Sequence, residues 1–127
     1  MNVLLVIPSN IGTIASVSFN LYRGLCNQKN LTVYVACLGE YRDEGFKFDN
    51  LYKLGERNHG ISKILSRVFE LKKIKKEKKI DISIGTLLGA IYWNVLSGIG
   101  ELKIGIFHTK LEQRKSAGKL TYFASVV

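Results

Sequence analysis

Val3-Leu4-Leu5-Val6-Ile7 is an unbroken apolar run at the start of the chain. A half-exposed strand would alternate polar and apolar residues, and this one does not. Such a run predicts a strand covered on both faces, which calls for a parallel sheet with helices on either side. The following residues fit that demand. Pro8-Ser9-Asn10-Ile11-Gly12-Thr13 reads as a turn with several residues able to cap a helix. Ile14, Val17, Leu21 and Leu25 then recur at helical spacing, and Asn27–Asn30 ends the helix. Leu31–Leu38 is a second strand, rich in Val, Thr and Tyr. Gly39–Phe48 is a polar loop and Leu51–Leu54 a short strand.

Ile61, Ile64, Leu65, Val68, Leu71 and Ile74 form one stripe of an amphipathic helix that runs to about Lys78. Asp81–Gly85 reads as a strand, Leu87–Ser97 as a helix and Lys103–Phe107 as a strand. Residues 119–127 begin a further element. Strand and helix patterns alternate without internal repeats, which predicts right-handed βαβ units. The expected fold class is α/β, a Rossmann-like open parallel sheet with helices on both faces. At 127 residues the chain has room for one such domain.

The net charge is +9, and residues 61–79 carry +6 of it, eight basic residues against Glu70 and Glu77. The lysines at 72, 73, 75, 76, 78 and 79 crowd the end of the predicted helix, where cations suit the helix dipole. A solvated face is the simplest reading of Lys72, Lys73, Lys75, Lys76, Lys78 and Lys79. An anionic membrane surface is the partner they would otherwise attract. Nucleic acid is disfavoured because aromatic residues do not interleave with them. Ile82–Gly100 lacks charge, yet it contains four glycines, Ser83, Thr86 and Asn94. A strand, a turn and a buried helix, with Tyr92 and Trp93 in the core, explain it better than a membrane span. The opening strand has neither a basic leader nor a small-residue cleavage pattern, so it does not read as a signal peptide. Cys26 and Cys37 lack CxxC spacing and read as reduced, which places the protein in the cytoplasm.

In an open parallel sheet, ligands bind beyond the carboxyl ends of the strands. Three segments fall there: Ser9–Thr13, Gly85–Gly89 and His108. His108 follows the strand "KIGIF" directly. Its imidazole suits a hydrogen bond to a sugar hydroxyl or proton transfer near neutral pH. A histidine bonded to a neighbouring carbonyl is the structural alternative. A helix start after the first strand can hold a phosphate or carboxylate on its amides. However, "IPSNIGTIAS" has a single glycine and is neither G-x-G-x-x-G nor a P-loop, which leaves a nicotinamide-dependent oxidoreductase without its fingerprint. Gly12 can equally serve the turn alone. No His, Cys, Asp or Glu cluster has metal-ligand spacing, no Ser/His/Asp set is recognisable, and His59 reads as a loop residue.

Three segments together resemble family-4 glycosyltransferases, retaining sugar-nucleotide enzymes of GT-B fold. "IGTIASVSFNLYRGL" places Gly12, Val17, Asn20, Leu21, Gly24 and Leu25 in step with the family's first turn and helix. "EKKIDISIGT" is similar to its Lys-rich helix end and Pro-Asp-Ile-Val strand, with Ile80 in place of the proline. "IGIFHTK" resembles the strand that ends in His-Asn or His-Asp, with Thr109 in the second position. Thr13 stands where a second glycine is usual and Ala15 where an acid is usual. The resemblance implies that 1–127 form the N-terminal, acceptor-side domain of a truncated chain. The domain that holds the nucleotide sugar would lie outside these residues. The parent enzyme would transfer a sugar from a nucleotide diphosphate sugar to a polysaccharide or lipid-linked acceptor, without a metal or other cofactor, at the inner face of the membrane. The isolated fragment would be inactive. His108 would be the catalytic residue, with Asn10, Gly12, Thr13, Thr86 and Thr109 as substrate-binding residues, Gly12 and Thr13 lining the donor-phosphate side of the cleft. The alternative is a non-catalytic, flavodoxin-like binding or regulatory domain.

Overall fold

The computed structural model describes residues 1–54, 61–108 and 120–126, with backbone alone at 61–64, 107–108 and 120–126. The elements follow the order β1 (Asn2–Ile7), α1 (Gly12–Cys26), β2 (Thr32–Cys37), β3 (Leu51–Lys53), α2 (Ile61–Glu77), β4 (Ile82–Gly85), α3 (Leu88–Leu96), β5 (Leu102–His108) and β6 (Leu120–Val126). They build one six-stranded sheet in the order β3-β2-β1-β4-β5-β6. The first five of those strands in the row are parallel, so the Rossmann-like α/β reading holds.

β6 departs from the expected parallel sheet, since it pairs antiparallel with β5. The connection 109–119 is shorter than the dozen or so residues that a parallel crossover needs, and an antiparallel return has no such requirement.

β1 is central and enclosed, with Val3 to Ile7 all buried. Its alternate side chains feed two separate cores. Val3, Leu5 and Ile7 meet Val33, Val35, Tyr22 and Phe48 on the α1 face. Leu4 and Val6 meet Leu71, Ile74, Ile80 and Ala90 on the face of α2 and α3. The connection from β2 to β3 contains no helix. Phe46 and Phe48 fill the space instead, stacked and edge-on against Phe19 of α1 with ring centroids 5.0 and 5.4 Å apart. The Tyr22 hydroxyl accepts a hydrogen bond from the Asp49 amide at 2.9 Å and ties that loop to α1.

Lys75 corrects a reading of the sequence. It lies within the basic helix end, yet its side chain is fully buried. Its Nζ sits 2.6 Å from Glu101 Oε2 and donates to the Asn94 carbonyl at 2.8 Å. Glu101 also accepts from Ser83 Oγ at 2.8 Å and from the Ile99 amide at 2.9 Å, with Lys103 Nζ at 3.5 Å. Its position in α2 shares the face of Leu71 and Ile74, so helical geometry carries the lysine inward. A charge there needs a partner, and Glu101 is in place. Tyr92, expected in the core, is 61% exposed because α3 buries Ala90, Ile91 and Asn94 on the opposite side. Ile82–Gly100 divides into β4 and α3, and among the described residues no helix is long and apolar enough to cross a membrane.

Burial works against the Glu101 charge, but the bonds from Lys75, Ile99 and Ser83 prevail and bring the carboxyl from its ordinary 4.5 to about 2. Burial lowers Lys75 to about 8 against the pull of Glu101. Between those two carboxyl values the unfolded chain binds a proton that the folded chain refuses. The stabilisation from Glu101 is therefore intact above the ordinary value and is lost as pH falls through the folded one. Its size is of order 3 kcal/mol. Urea denaturation over this acid range checks it: the wild-type advantage over Glu101→Gln shrinks as pH falls.

Candidate functional site

β1 and β4 are parallel neighbours, with Val6 opposite Gly85. The chain leaves β1 toward α1 on one face and leaves β4 toward α3 on the other. This divergence opens a crevice at the carboxyl ends of the two strands, the position where open α/β sheets bind ligands. Pro8–Ile11 and Thr86–Leu87 form its rims.

Both helices begin without a side-chain cap. α1 starts after Ile11, whose backbone is extended, and α3 starts after Leu87 in the same state. Neither has an acid in its first turn. The sequence offers Ser9, Asn10 and Thr13 as caps, but Ser9 Oγ bonds the Ile11 carbonyl and Asn10 is engaged elsewhere. The first-turn amides consequently lack intrahelical acceptors and side-chain partners of the usual kind. Gly12 has a φ of +91°, in the left-handed region that glycine adopts without strain, and this lets α1 begin directly at the turn.

The turn is knitted to the 39–50 loop. Asn10 is fully buried. Its Nδ2 donates to the carbonyls of Arg42 at 2.6 Å and Phe46 at 3.2 Å, and its Oδ1 accepts from the Arg42 amide at 2.8 Å. Both amide protons are spent, so the side chain braces the loop and has no donor left for a ligand. A Cβ on Gly39 would lie 2.2 Å from the Pro8 carbonyl oxygen, and one on Gly45 would lie 2.4 Å from the Asn10 oxygen. These glycines permit the close approach. Thr86 is also buried, with its Oγ1 donating to the Val6 carbonyl at 3.3 Å across the strand pair.

Two depressions flank the crevice. The one beside α1, about 280 Å³, is lined by Asn10, Ile11, Gly12, Glu44, Gly45 and Phe46. Gly12 and Thr13 are exposed at its helix end. Glu44, whose Oε1 lies 3.9 Å from Arg42 Nη1, gives this side a carboxylate that can accept hydrogen bonds from hydroxyls. Ala15 is buried. The second depression, about 180 Å³, lies on the α2 and α3 side and includes Pro8, Gly39, Arg67, Leu87, Gly89 and Trp93. A larger groove of about 510 Å³ runs between β3 and α2 at the sheet edge. It stands apart from the switch point and its helix starts.

His108 is the last residue of β5, paired through its backbone with Leu120, so the strand runs one residue past the end at Phe107 expected from the sequence. The antiparallel β6 extends the ladder to that residue. Gly105 lies opposite Gly85, so β5 runs on beyond β4 and carries His108 to the carboxyl edge of the sheet. Thr109 and His59 lie outside the described residues. The structure thus brings Gly12, Thr13 and Thr86 to one crevice and His108 to the same edge, while Asn10 and Thr86 spend their side chains on the scaffold. Arg67 and Glu44 were not singled out by sequence: one is hidden among helix cations, the other in a polar loop. Among the described residues no group of three His, Cys, Asp or Glu side chains could hold a metal ion.

Comparison with known protein families, curated proteins and solved structures returns no match.

Asn10→Ala should release the loop and leave buried backbone groups unpaired, at a cost of about 1–3 kcal/mol. The check is chemical denaturation together with limited proteolysis, with faster cleavage expected between residues 39 and 50.

Proposed function

We propose that this chain forms the acceptor-side domain of a retaining, sugar-nucleotide-dependent glycosyltransferase. The observation that carries the reading is the switch-point crevice between β1 and β4, with the resembling segments at its edges: the Gly12 turn, the β4 end and His108. Hydroxyl-rich acceptors suit the α1 side, where Glu44 can accept hydrogen bonds and exposed first-turn amides at Gly12 and Thr13 can donate them. His108 would bond the transferred sugar or the acceptor hydroxyl, where an imidazole can both accept and donate a proton. On this reading the nucleotide diphosphate sugar is held mainly by a second domain outside these residues, and the chain alone does not turn over.

The coding sequence beyond codon 127 tests the proposal. A reading frame that continues into a second α/β domain with paired glutamates supports it. A stop codon directly after Val127 would overturn it in favour of a small binding or regulatory domain. In the continuous protein, His108→Ala should lower sugar transfer by at least about a hundredfold, the usual scale of a lost proton-transfer group. Transfer of radiolabelled sugar from a nucleotide donor panel is the readout, and unchanged turnover would remove His108 from the site.

The exposed part of the basic helix fits an anionic lipid surface at the cytoplasmic side of a membrane. Lys73, Lys76 and Lys79 are exposed and Lys72 partly so, while Lys78 lies 5.7 Å from the Tyr34 ring. Leu65 and Phe69 are 56% and 67% exposed on the same helix. Lys75 takes no part, since Glu101 holds it inside. Each surface lysine contributes about 1 kcal/mol near an acidic bilayer. Co-sedimentation with vesicles containing phosphatidylserine should show binding that weakens with salt and with Lys73→Gln/Lys76→Gln. Equal binding to neutral vesicles would defeat it.

A further inference from the structure

The depression on the α2 and α3 side differs in charge from its neighbour. Arg67 of α2 reaches it, and its Nε is enclosed without a hydrogen-bond partner. Among the described residues no carboxylate forms an ion pair with Arg67. Its guanidinium carbon lies 5.8 Å from the centroid of the Trp93 ring, which leaves the charge resting on an aromatic face while the fork is unused. Burial lowers the guanidinium pKa, with Cys37 and Glu70 only partly offsetting it, so this charge is held at a cost. Arg67 as a whole is only partly buried, so its terminal guanidinium nitrogens are the ones that can meet a ligand oxygen.

The rest of the lining is suited to the same ligand. Leu87, Gly89 and Ala90 come from the uncapped start of α3, whose first amides have no intrahelical acceptors. A Cβ at Gly89 would meet nothing within 4 Å, so the approach to those amides is open. Pro8, Leu38 and Trp93 make the remaining wall apolar, and among the described residues no acid lines it.

We propose that this depression binds a phosphate group, held by the Arg67 guanidinium and the first-turn amides of α3, with Trp93 as its apolar wall. Arginine matches phosphate with parallel hydrogen bonds, and an uncapped helix start adds directed N–H groups. The volume of about 180 Å³ admits a phosphate and a small part of what carries it. The phosphate can belong to a nucleotide or to a phospholipid-type headgroup. Neither source requires that the chain transfer sugars, so the inference stands apart from that function.

Trp93 is the chain's one tryptophan, which makes intrinsic fluorescence a reporter of this depression. The experiment titrates the whole chain with inorganic pyrophosphate at constant ionic strength, in parallel with Arg67→Gln and Arg67→Lys, after circular dichroism has confirmed their folding. The expected result is a saturable change in Trp93 emission, at least about tenfold weaker in Arg67→Gln and intermediate in Arg67→Lys. No saturable change in the wild type overturns the proposal, as does an unchanged response in folded Arg67→Gln. Uridine diphosphate and glycerol 3-phosphate distinguish the sources. Tighter saturation by the first assigns the site to a nucleotide, tighter saturation by the second to a headgroup, and either supports a phosphate site. Retained phosphate binding together with a stop codon directly after Val127 would refute the functional reading alone.

Discussion

Burial of β1 on both faces is the constraint from which the rest of this structure follows. Five successive apolar side chains cannot be covered from one side, because a strand points alternate residues in opposite directions. Leu4 and Val6 need one helical layer, and Val3, Leu5 and Ile7 need another. The chain supplies them by sending α1 to one face and both α2 and α3 to the other. That division places the switch point beside β1. The crevice is thus a consequence of how the core is filled, and it is available to function wherever the loops leave it open.

The two ends of the sheet do different work. At the amino ends of β4 and β5, Lys75, Glu101, Ser83 and Lys103 form a dry, hydrogen-bonded ionic cluster. Breaking one partner would strand a buried charge, a loss of about 3–5 kcal/mol, so the cluster fixes α2 against β5. At the carboxyl ends the polar groups are less fully engaged. Two helix starts lack caps and the Arg67 Nε lacks a partner. At that end Asn10 and Thr86 are engaged by the scaffold, and the helix starts are the groups left open.

The order of strands and helices was legible because it depends on periodicity, and β1, α1, β2 and α3 each lie within a few residues of where the pattern puts them. The antiparallel edge was not legible, since pattern reports that a strand exists and not which way it runs. Helix caps misled for a related reason. Asn10 is a good cap by type, but three backbone groups of the 39–50 loop compete for its amide and win. Lys75 was hidden by composition: within a lysine-rich stretch, only the phase of the helix against the sheet tells which lysine turns inward, and its partner lies 26 positions away at Glu101. Arg67 was hidden in the same way.

The site follows the same logic. Glycine and histidine positions at strand ends can be read from sequence because strand ends can. The charge on each side of the crevice cannot, since Glu44 and Arg67 arrive from a loop and a helix with no fixed spacing to the turn they face. Yet that charge decides what each side can hold. A carboxylate beside Gly12 can accept from hydroxyl groups, and a guanidinium without an ion-pair partner among the described residues, beside Gly89, would suit phosphate oxygens. One crevice with an acid on one flank and a base on the other is suited to a ligand with two unlike ends, a polyhydroxylated part and a phosphorylated part.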